Sequence, residues 1–154
     1  MPLKSFRTFE NDERDLLSDL DSIGIEQHKG WLVCTSSVYD RDEMGSSVYA
    51  VIAKNPGEAS ALILESMGIE DEQDLDDARK GTDFESGLGE VMNNIMQWDG
   101  RFEIVVVYDD LKPFKYEDYC LEIDWTNPIM AAKDVKYVFP NADQILGSKM
   151  SGTR

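Results

Sequence analysis

Apolar residues recur along the chain at two different spacings, and each spacing predicts one kind of secondary structure. In residues 11–24 the apolar positions lie three or four residues apart, which predicts an amphipathic helix that begins after Asn11 and ends at Gly24. Residues 31–39 and 48–53 are instead rich in β-branched and aromatic side chains. Because a polar turn separates these two segments, they are predicted as a β-hairpin.

Further helices are predicted in the middle of the chain. Asn55 is a suitable cap, Pro56 fits the first helical position, and an apolar face continues to Gly68. The acidic stretch 70–77 follows and is expected as either a solvated helix or a loop, since it contains only one large apolar residue. Residues 88–98 again place apolar side chains on one side, up to Trp98, which predicts another helix.

Alternating patterns return in the second half of the chain. Residues 101–109 predict a strand in which one face holds alternate side chains from 102 to 108, and residues 119–125 alternate as a half-buried antiparallel strand does. Asn127 and Pro128 predict the start of a short helix through residue 132. Residues 136–139 are expected to form one last strand.

The order of these elements predicts the class of fold. Strands that follow one another directly favour an antiparallel arrangement over a parallel one. The sequence therefore predicts an α+β fold, with a mainly antiparallel sheet of about five strands and helices packed on one face. No linker rich in Pro, Gly or Ser divides the 154 residues, so we expect one acidic domain with a loose C-terminal tail at about 148–154.

The charge of the chain narrows the classes of partner. The chain has 31 Asp and Glu against 15 Lys and Arg, and its net charge is −16. Such a field repels nucleic acid and anionic membranes, so we expect direct binding to neither of them. It attracts basic protein surfaces. The alternative interpretation is that the negative charge only favours solubility.

The two cysteines and the N-terminus favour a cytoplasmic location. Cys34 and Cys120 are too few for a disulfide framework, and they can pair only if their strands bring them together. The first ten residues contain no apolar run of the signal-peptide kind. No stretch approaches the roughly 20 apolar residues that span a bilayer.

No complete catalytic motif is present. His28 is the only histidine, a Gly-x-Ser-x-Gly sequence is missing, and one His with two Cys does not supply a typical zinc site. The glycines at 57 and at 87–89 lack the spacing and the Lys of a nucleotide loop, so they are expected to serve helix ends. We therefore expect a protein that is not an enzyme and needs no cofactor.

One group of carboxylates leaves an enzymatic alternative open. Asp109 and Asp110 end one predicted strand, and Glu122 and Asp124 share a face of the next. Carboxylates that converge at a sheet edge can bind divalent cations that serve phosphoryl chemistry. The alternative hypothesis is a metal-dependent phosphoesterase or nuclease. The simpler interpretation is that these four side chains form the solvated face of a sheet.

The acidic density gives the leading hypothesis. DNA has one charge per about 1.7 Å of its axis, and a protein surface dense in carboxylates can imitate it in the basic groove of another protein. The chain is thus expected to be a non-catalytic binding or inhibitor protein that engages a basic protein surface, by nucleic-acid mimicry. The candidate partner-binding residues are Asp12, Asp15, Asp19, Glu26, Glu70, Asp71, Glu72, Asp74, Asp76 and Asp77.

Two further expectations accompany this hypothesis. In size and acidic composition, though not in any motif, the chain resembles small inhibitor proteins of phages and mobile elements that block nucleic-acid-binding enzymes.

A small-ligand pocket between the sheet and its helices is a third functional possibility. The sequence indicates no oligomeric state.

Overall fold

A four-stranded antiparallel sheet organises the part of the chain that the computed structural model describes, residues 28–39 and 43–143. The strand order is β3–β1–β2–β4, and every neighbouring pair is antiparallel. The strands are β1 (Lys29–Tyr39), β2 (Glu43–Ala53), β3 (Gly100–Leu111) and β4 (Tyr119–Ile123).

The helices confirm the predicted α+β class. They are α1 (Pro56–Ser66), α2 (Glu72–Arg79), α3 (Glu90–Met96) and α4 (Pro128–Val138). A π-helical turn, Glu85–Gly89, leads into α3, and a short 3-10 turn, Gln97–Asp99, follows it. Within the described residues, no helix combines the length and the apolar character needed to cross a membrane. The predicted N-terminal helix and the predicted C-terminal tail lie outside the described residues.

The sheet has four strands in the described residues rather than about five, because residues 136–138 form the end of α4 and Phe139 follows it directly. Asn127 caps this helix by accepting a hydrogen bond from the backbone N–H of Met130, and Pro128 lies in the first turn. Tyr137 favours a strand locally, but helical spacing puts three apolar side chains against the same apolar cluster. These side chains are Ala131, Val135 and Val138.

The two faces of the sheet pack against different helices. One face, with Trp31 and Val33 of β1, packs against α1, α2 and α3, which lie in residues 56–99. We call residues 56–99 the helical layer. The opposite face, with Leu32 of β1, packs against α4 and Phe139. The helical layer covers one face of the sheet, as predicted. α4 lies on the other face, where it forms a smaller apolar cluster with the sheet.

β3 does not keep the alternation that its sequence predicts. Its pairing with β1 shifts by one residue between Cys34 and Thr35, so β3 contains a β-bulge at this point. Before the bulge, Phe102 packs with the helical layer, and after it Tyr108 packs on the α4 side. The prediction that alternate residues from 102 to 108 share one face is therefore wrong, because an extra residue exchanges the two faces.

Glycines let the backbone of the helical layer pack closely upon itself. A Cβ at Gly57 would lie 2.3 Å from the Arg79 carbonyl oxygen, and a Cβ at Gly81 would lie 2.4 Å from Gly87 Cα. Asn55 caps α1, since its Oδ1 accepts a hydrogen bond from a backbone N–H three residues on at 2.9 Å. The predicted capping of α1 by Asn55 is thus confirmed. The glycines of this layer have a different role, because the lack of a side chain lets two backbone segments come into close contact.

Candidate functional site

Negative charge is concentrated in the helical layer. Residues 56–99 contain twelve acidic residues and two basic ones, so this layer accounts for −10 of the net charge of −16. None of these twelve carboxylates is buried. On the other side of the sheet, residues 128–143 contain two acidic and two basic residues. Among the helices that the structure describes, the excess negative charge therefore lies on the face of the sheet that the helical layer covers.

Six of the predicted partner-binding residues lie together on α2 or directly before it: Glu70, Asp71, Glu72, Asp74, Asp76 and Asp77. The acidic stretch is mostly helical rather than a loop, because Leu75 is only 3% exposed and packs in the core. Asp71 caps the helix through its Oδ1, which accepts backbone hydrogen bonds from Gln73 at 2.9 Å and Asp74 at 3.1 Å. The other four predicted partner-binding residues, Asp12, Asp15, Asp19 and Glu26, lie outside the described residues.

The charge of α2 is only partly balanced by its neighbours. Asp76 Oδ1 accepts a hydrogen bond from Arg79 Nη1 at 2.6 Å in an ion pair. Partial desolvation raises the pKa of Asp74 above its ordinary value, and the charges of Asp71 and Asp77 raise this pKa further. The carboxylates of α2 therefore repel one another, and a cationic partner would relieve that repulsion.

The structure does not bring together the four carboxylates of the metal hypothesis. Asp109 and Asp110 lie on β3, whereas Glu122 and Asp124 lie on β4 and directly after it, with β1 and β2 between them. Neighbouring strands are about 4.8 Å apart, so the two pairs are separated by roughly 14 Å. In residues 28–39 and 43–143, no three His, Cys, Asp or Glu side chains are grouped as ligands for a metal ion.

Two of these four residues have local structural roles. Asp110 has a φ of 60° in an irregular part of β3, and its carbonyl oxygen accepts a hydrogen bond from Asn141 Nδ2 at 3.2 Å. Asp124 Oδ1 accepts hydrogen bonds from the backbone N–H and the hydroxyl of Thr126. The Asp124 side chain therefore shapes the turn after β4, whereas Asp110 takes part through its backbone.

The histidine has a partner that the sequence did not predict. His28 Nε2 lies 3.0 Å from Asp118 Oδ1, although the two residues are 90 positions apart. The contact joins the start of β1 to the segment before β4, and nothing in the local sequence around either residue indicates it. A carboxylate that holds an imidazole in this way orients the ring.

Burial disfavours the reactive thiolate form of both cysteines. Cys34 and Cys120 are free thiols, and they lie on strands separated by β2, so the strands do not bring them together. Burial raises the pKa of Cys34, and it raises the pKa of Cys120 to about 12. A raised pKa lowers the fraction of thiolate at neutral pH, so we expect both thiols to react more slowly than an ordinary cysteine.

A cavity of about 670 Å³ lies between the sheet and the helical layer. Its floor is the sheet, which contributes three hydroxyl side chains and two aromatic rings: Thr35, Ser37, Ser47, Tyr49 and Phe102. Its walls are the segment after α1 and one side of α3: Met67, Ile69, Met92, Ile95 and Met96. Asp99 also lines the cavity and is exposed. The cavity has the size of a small-ligand pocket.

Trp98 directly precedes the cavity residue Asp99 in the sequence, and its side chain is exposed. The predicted helix through residue 98 ends at Met96, and Gln97 has a φ of 47°. The chain therefore turns at Gln97, and the Trp98 side chain is 97% exposed rather than part of the apolar face. A large aromatic side chain left in water is a frequent anchor for a partner. The sequence did not indicate this role, because Trp98 continues the apolar periodicity of α3.

Comparison with known proteins gives no assignment, since no family model, curated protein or solved structure matches the chain.

Proposed function

We propose that this chain is a non-catalytic binding protein whose acidic helical layer engages a basic surface of another protein. The observation that supports the proposal most is the charge of residues 56–99. This segment contains twelve acidic and two basic residues, and none of its carboxylates is buried. A surface of this kind accelerates association with cationic proteins and disfavours anionic partners. A cytoplasmic setting fits the proposal, because both cysteines remain free thiols.

The charge density of α2 supports nucleic-acid mimicry as the form of this binding. Four acidic residues lie in the first six residues of the helix: Glu72, Asp74, Asp76 and Asp77. Six helical residues extend about 9 Å, which gives one charge per roughly 2.3 Å of axis. Duplex DNA has one charge per about 1.7 Å. The helix thus approaches the density that a basic nucleic-acid groove binds, and a protein held in that groove is an inhibitor.

Competition with DNA tests this proposal. Labelled duplex DNA is bound to a set of basic DNA-binding domains, and its fluorescence anisotropy is followed while this protein is added. The proposal predicts that DNA is released from at least one domain at low salt and that release weakens as NaCl rises from about 0.05 M to about 0.5 M. If no domain releases its DNA, or if release does not depend on salt, nucleic-acid mimicry is wrong.

A further inference from the structure

We propose that the cavity beneath the helical layer receives a large apolar side chain from a basic amphipathic segment of the partner. This inference rests on the proposed function, because it specifies which kind of basic surface the acidic layer engages. The segment has an apolar anchor such as Leu, Phe or Trp, flanked by Lys or Arg. The anchor enters the cavity and the cations lie over the surrounding carboxylates.

The lining of the cavity fits an apolar anchor. Three of its wall residues are methionines, Met67, Met92 and Met96, whose flexible thioethers adapt to side chains of different shape. Ile95 completes one wall and is 38% exposed, so an entering group meets apolar surface at the opening. The hydroxyl groups on the sheet floor provide hydrogen-bond partners for the polar end of a Trp or Tyr anchor. The cavity therefore favours a large side chain over a bare charge.

The charges beside the cavity fit the flanking cations. On one wall Ile69 is followed directly by the exposed Glu70 and by Asp71, and on the other wall the exposed Asp99 lines the cavity itself. A neutral apolar ligand would bring no counter-charge to these carboxylates, and an acidic ligand would be repelled by them. Apolar binding and cation binding are thus combined at one opening. An amphipathic basic segment satisfies both.

Trp98 supports the same occupant independently. Its side chain is almost fully exposed and precedes the cavity residue Asp99. An indole face is the best aromatic acceptor for a cation–π contact with Lys or Arg. In the proposed complex a flanking cation of the bound segment contacts this ring, and that contact would shift the fluorescence of Trp98.

Two peptides of equal length and charge test the inference. One places Leu at helical spacing, three or four residues apart, among Lys residues, and the other replaces every Leu by Ser. Binding is followed by calorimetry and by the fluorescence of Trp98, which a Trp98→Phe variant identifies. We expect the Lys/Leu peptide to bind about tenfold more tightly or better, with a blue shift of Trp98 emission that the Lys/Ser peptide does not produce.

Variants of the cavity provide the matched controls. Ser37→Phe fills the cavity from its floor, whereas Ser36→Phe places the same ring on the opposite face of the same strand. We expect Ser37→Phe to abolish the advantage of the Lys/Leu peptide and to leave Lys/Ser binding unchanged, while Ser36→Phe preserves both. Ile95→Ser, at the partly exposed opening, removes apolar wall with little risk to folding and is expected to lower the same advantage.

The outcomes distinguish this inference from the function on which it rests. If both peptides bind equally in a salt-dependent manner and Ser37→Phe has no effect, the cavity inference is wrong and the acidic surface remains supported. If neither peptide binds, or if binding ignores salt, both the inference and the proposed function are wrong.

Discussion

Asn93 makes the two hydrogen bonds to Phe102 that a neighbouring strand would make. Asn93 Nδ2 donates to the Phe102 carbonyl oxygen at 2.9 Å, and the backbone N–H of Phe102 donates to Asn93 Oδ1 at 2.8 Å. β3 is at the edge of the sheet that residues 28–39 and 43–143 form, and this amide takes the place of a strand partner there. The same Nδ2 donates to the Gly89 carbonyl oxygen at 2.9 Å. One side chain therefore ties α3, a wall of the cavity, to the sheet.

Replacement of Asn93 should destabilise the fold. Asn93→Ala leaves the backbone N–H and carbonyl of the buried Phe102 without these partners, and we expect the free energy of unfolding to fall by about 1–3 kcal/mol. Urea unfolding followed by circular dichroism measures the change. Asn94→Ala is the control, because Asn94 is exposed, and it should change stability by less than about 0.5 kcal/mol. Equal effects of the two substitutions would contradict the role given to Asn93.

A methyl group should be tolerated at one glycine of the helical layer and not at another. At Gly81 a Cβ would lie 2.4 Å from Gly87 Cα and 2.5 Å from its backbone N, so Gly81→Ala must move the backbone. We expect a loss of about 1–3 kcal/mol or more in thermal unfolding. At Gly89 the nearest atom to a Cβ is a flexible Glu85 oxygen at 3.4 Å. Gly89→Ala should be neutral or stabilise by up to about 1 kcal/mol, and a loss as large as that of Gly81→Ala would show that the close backbone contact is not the cause.

Elements with local signals were predictable from the sequence. Asn55 with Pro56, and Asn127 with Pro128, each mark a helix start by side chains that satisfy the first backbone groups, and both helices begin there. The hairpin of β1 and β2 was predictable in the same way, because β-branched residues lie on both sides of a polar turn. These signals act within a few residues. They do not depend on the rest of the fold.

Features that depend on distant packing were not predictable. β4 follows β3 in sequence but pairs with β2, so Asp109 and Asp124 lie at opposite edges of the sheet although the sequence placed them on successive strands. No glycine marks the bulge between Ile104 and Val106 of β3, so the alternating sequence pattern did not indicate it. The cavity depends on how far α3 stands from the sheet. The uneven acidity was visible in the sequence, but its position on one face was not.

The thiol of Cys120 should react very slowly in the folded protein. Its pKa is raised to about 12, chiefly by burial, so the thiolate fraction at neutral pH is roughly a thousandfold lower than for an ordinary cysteine. Alkylation of a Cys34→Ser variant, followed by mass spectrometry, isolates this thiol. The rate should increase about tenfold per pH unit through pH 9 and should rise steeply in urea. A rate that reaches its plateau below pH 9 would contradict the raised pKa.

Neutralising one acid of α2 should stabilise the helix, whereas neutralising its neighbour should not. Partial desolvation and the charges of Asp71 and Asp77 raise the pKa of Asp74, so its ionised form costs stability at neutral pH. The cost disappears below the unfolded-state pKa of about 3.9, where Asp74 is protonated in both states. Asp74→Asn should therefore raise Tm at pH 7, on the order of 1 °C, and not at pH of about 3.

Asp76→Asn is the contrast for this prediction. It removes the ion pair with Arg79 at 2.6 Å, so it should not raise Tm at pH 7. Differential scanning calorimetry of both variants at the two pH values provides the comparison. If both substitutions stabilise the protein equally, the effect comes from net charge alone. The claim that Asp71 and Asp77 specifically destabilise the ionised form of Asp74 would then be wrong.

The dependence of binding on the position of the charge tests the central claim most directly. The double variant Glu70→Gln with Glu72→Gln removes two charges from the helical layer, and Glu117→Gln with Asp134→Asn removes two from outside it, so the net charge is the same in both proteins. Affinity for the Lys/Ser peptide is measured across a salt series. We expect the first variant to lose affinity roughly three- to tenfold at low salt, with a shallower salt dependence, and the second to match the unaltered protein within about twofold. Equal losses in the two variants would contradict the claim that the helical layer is the binding surface.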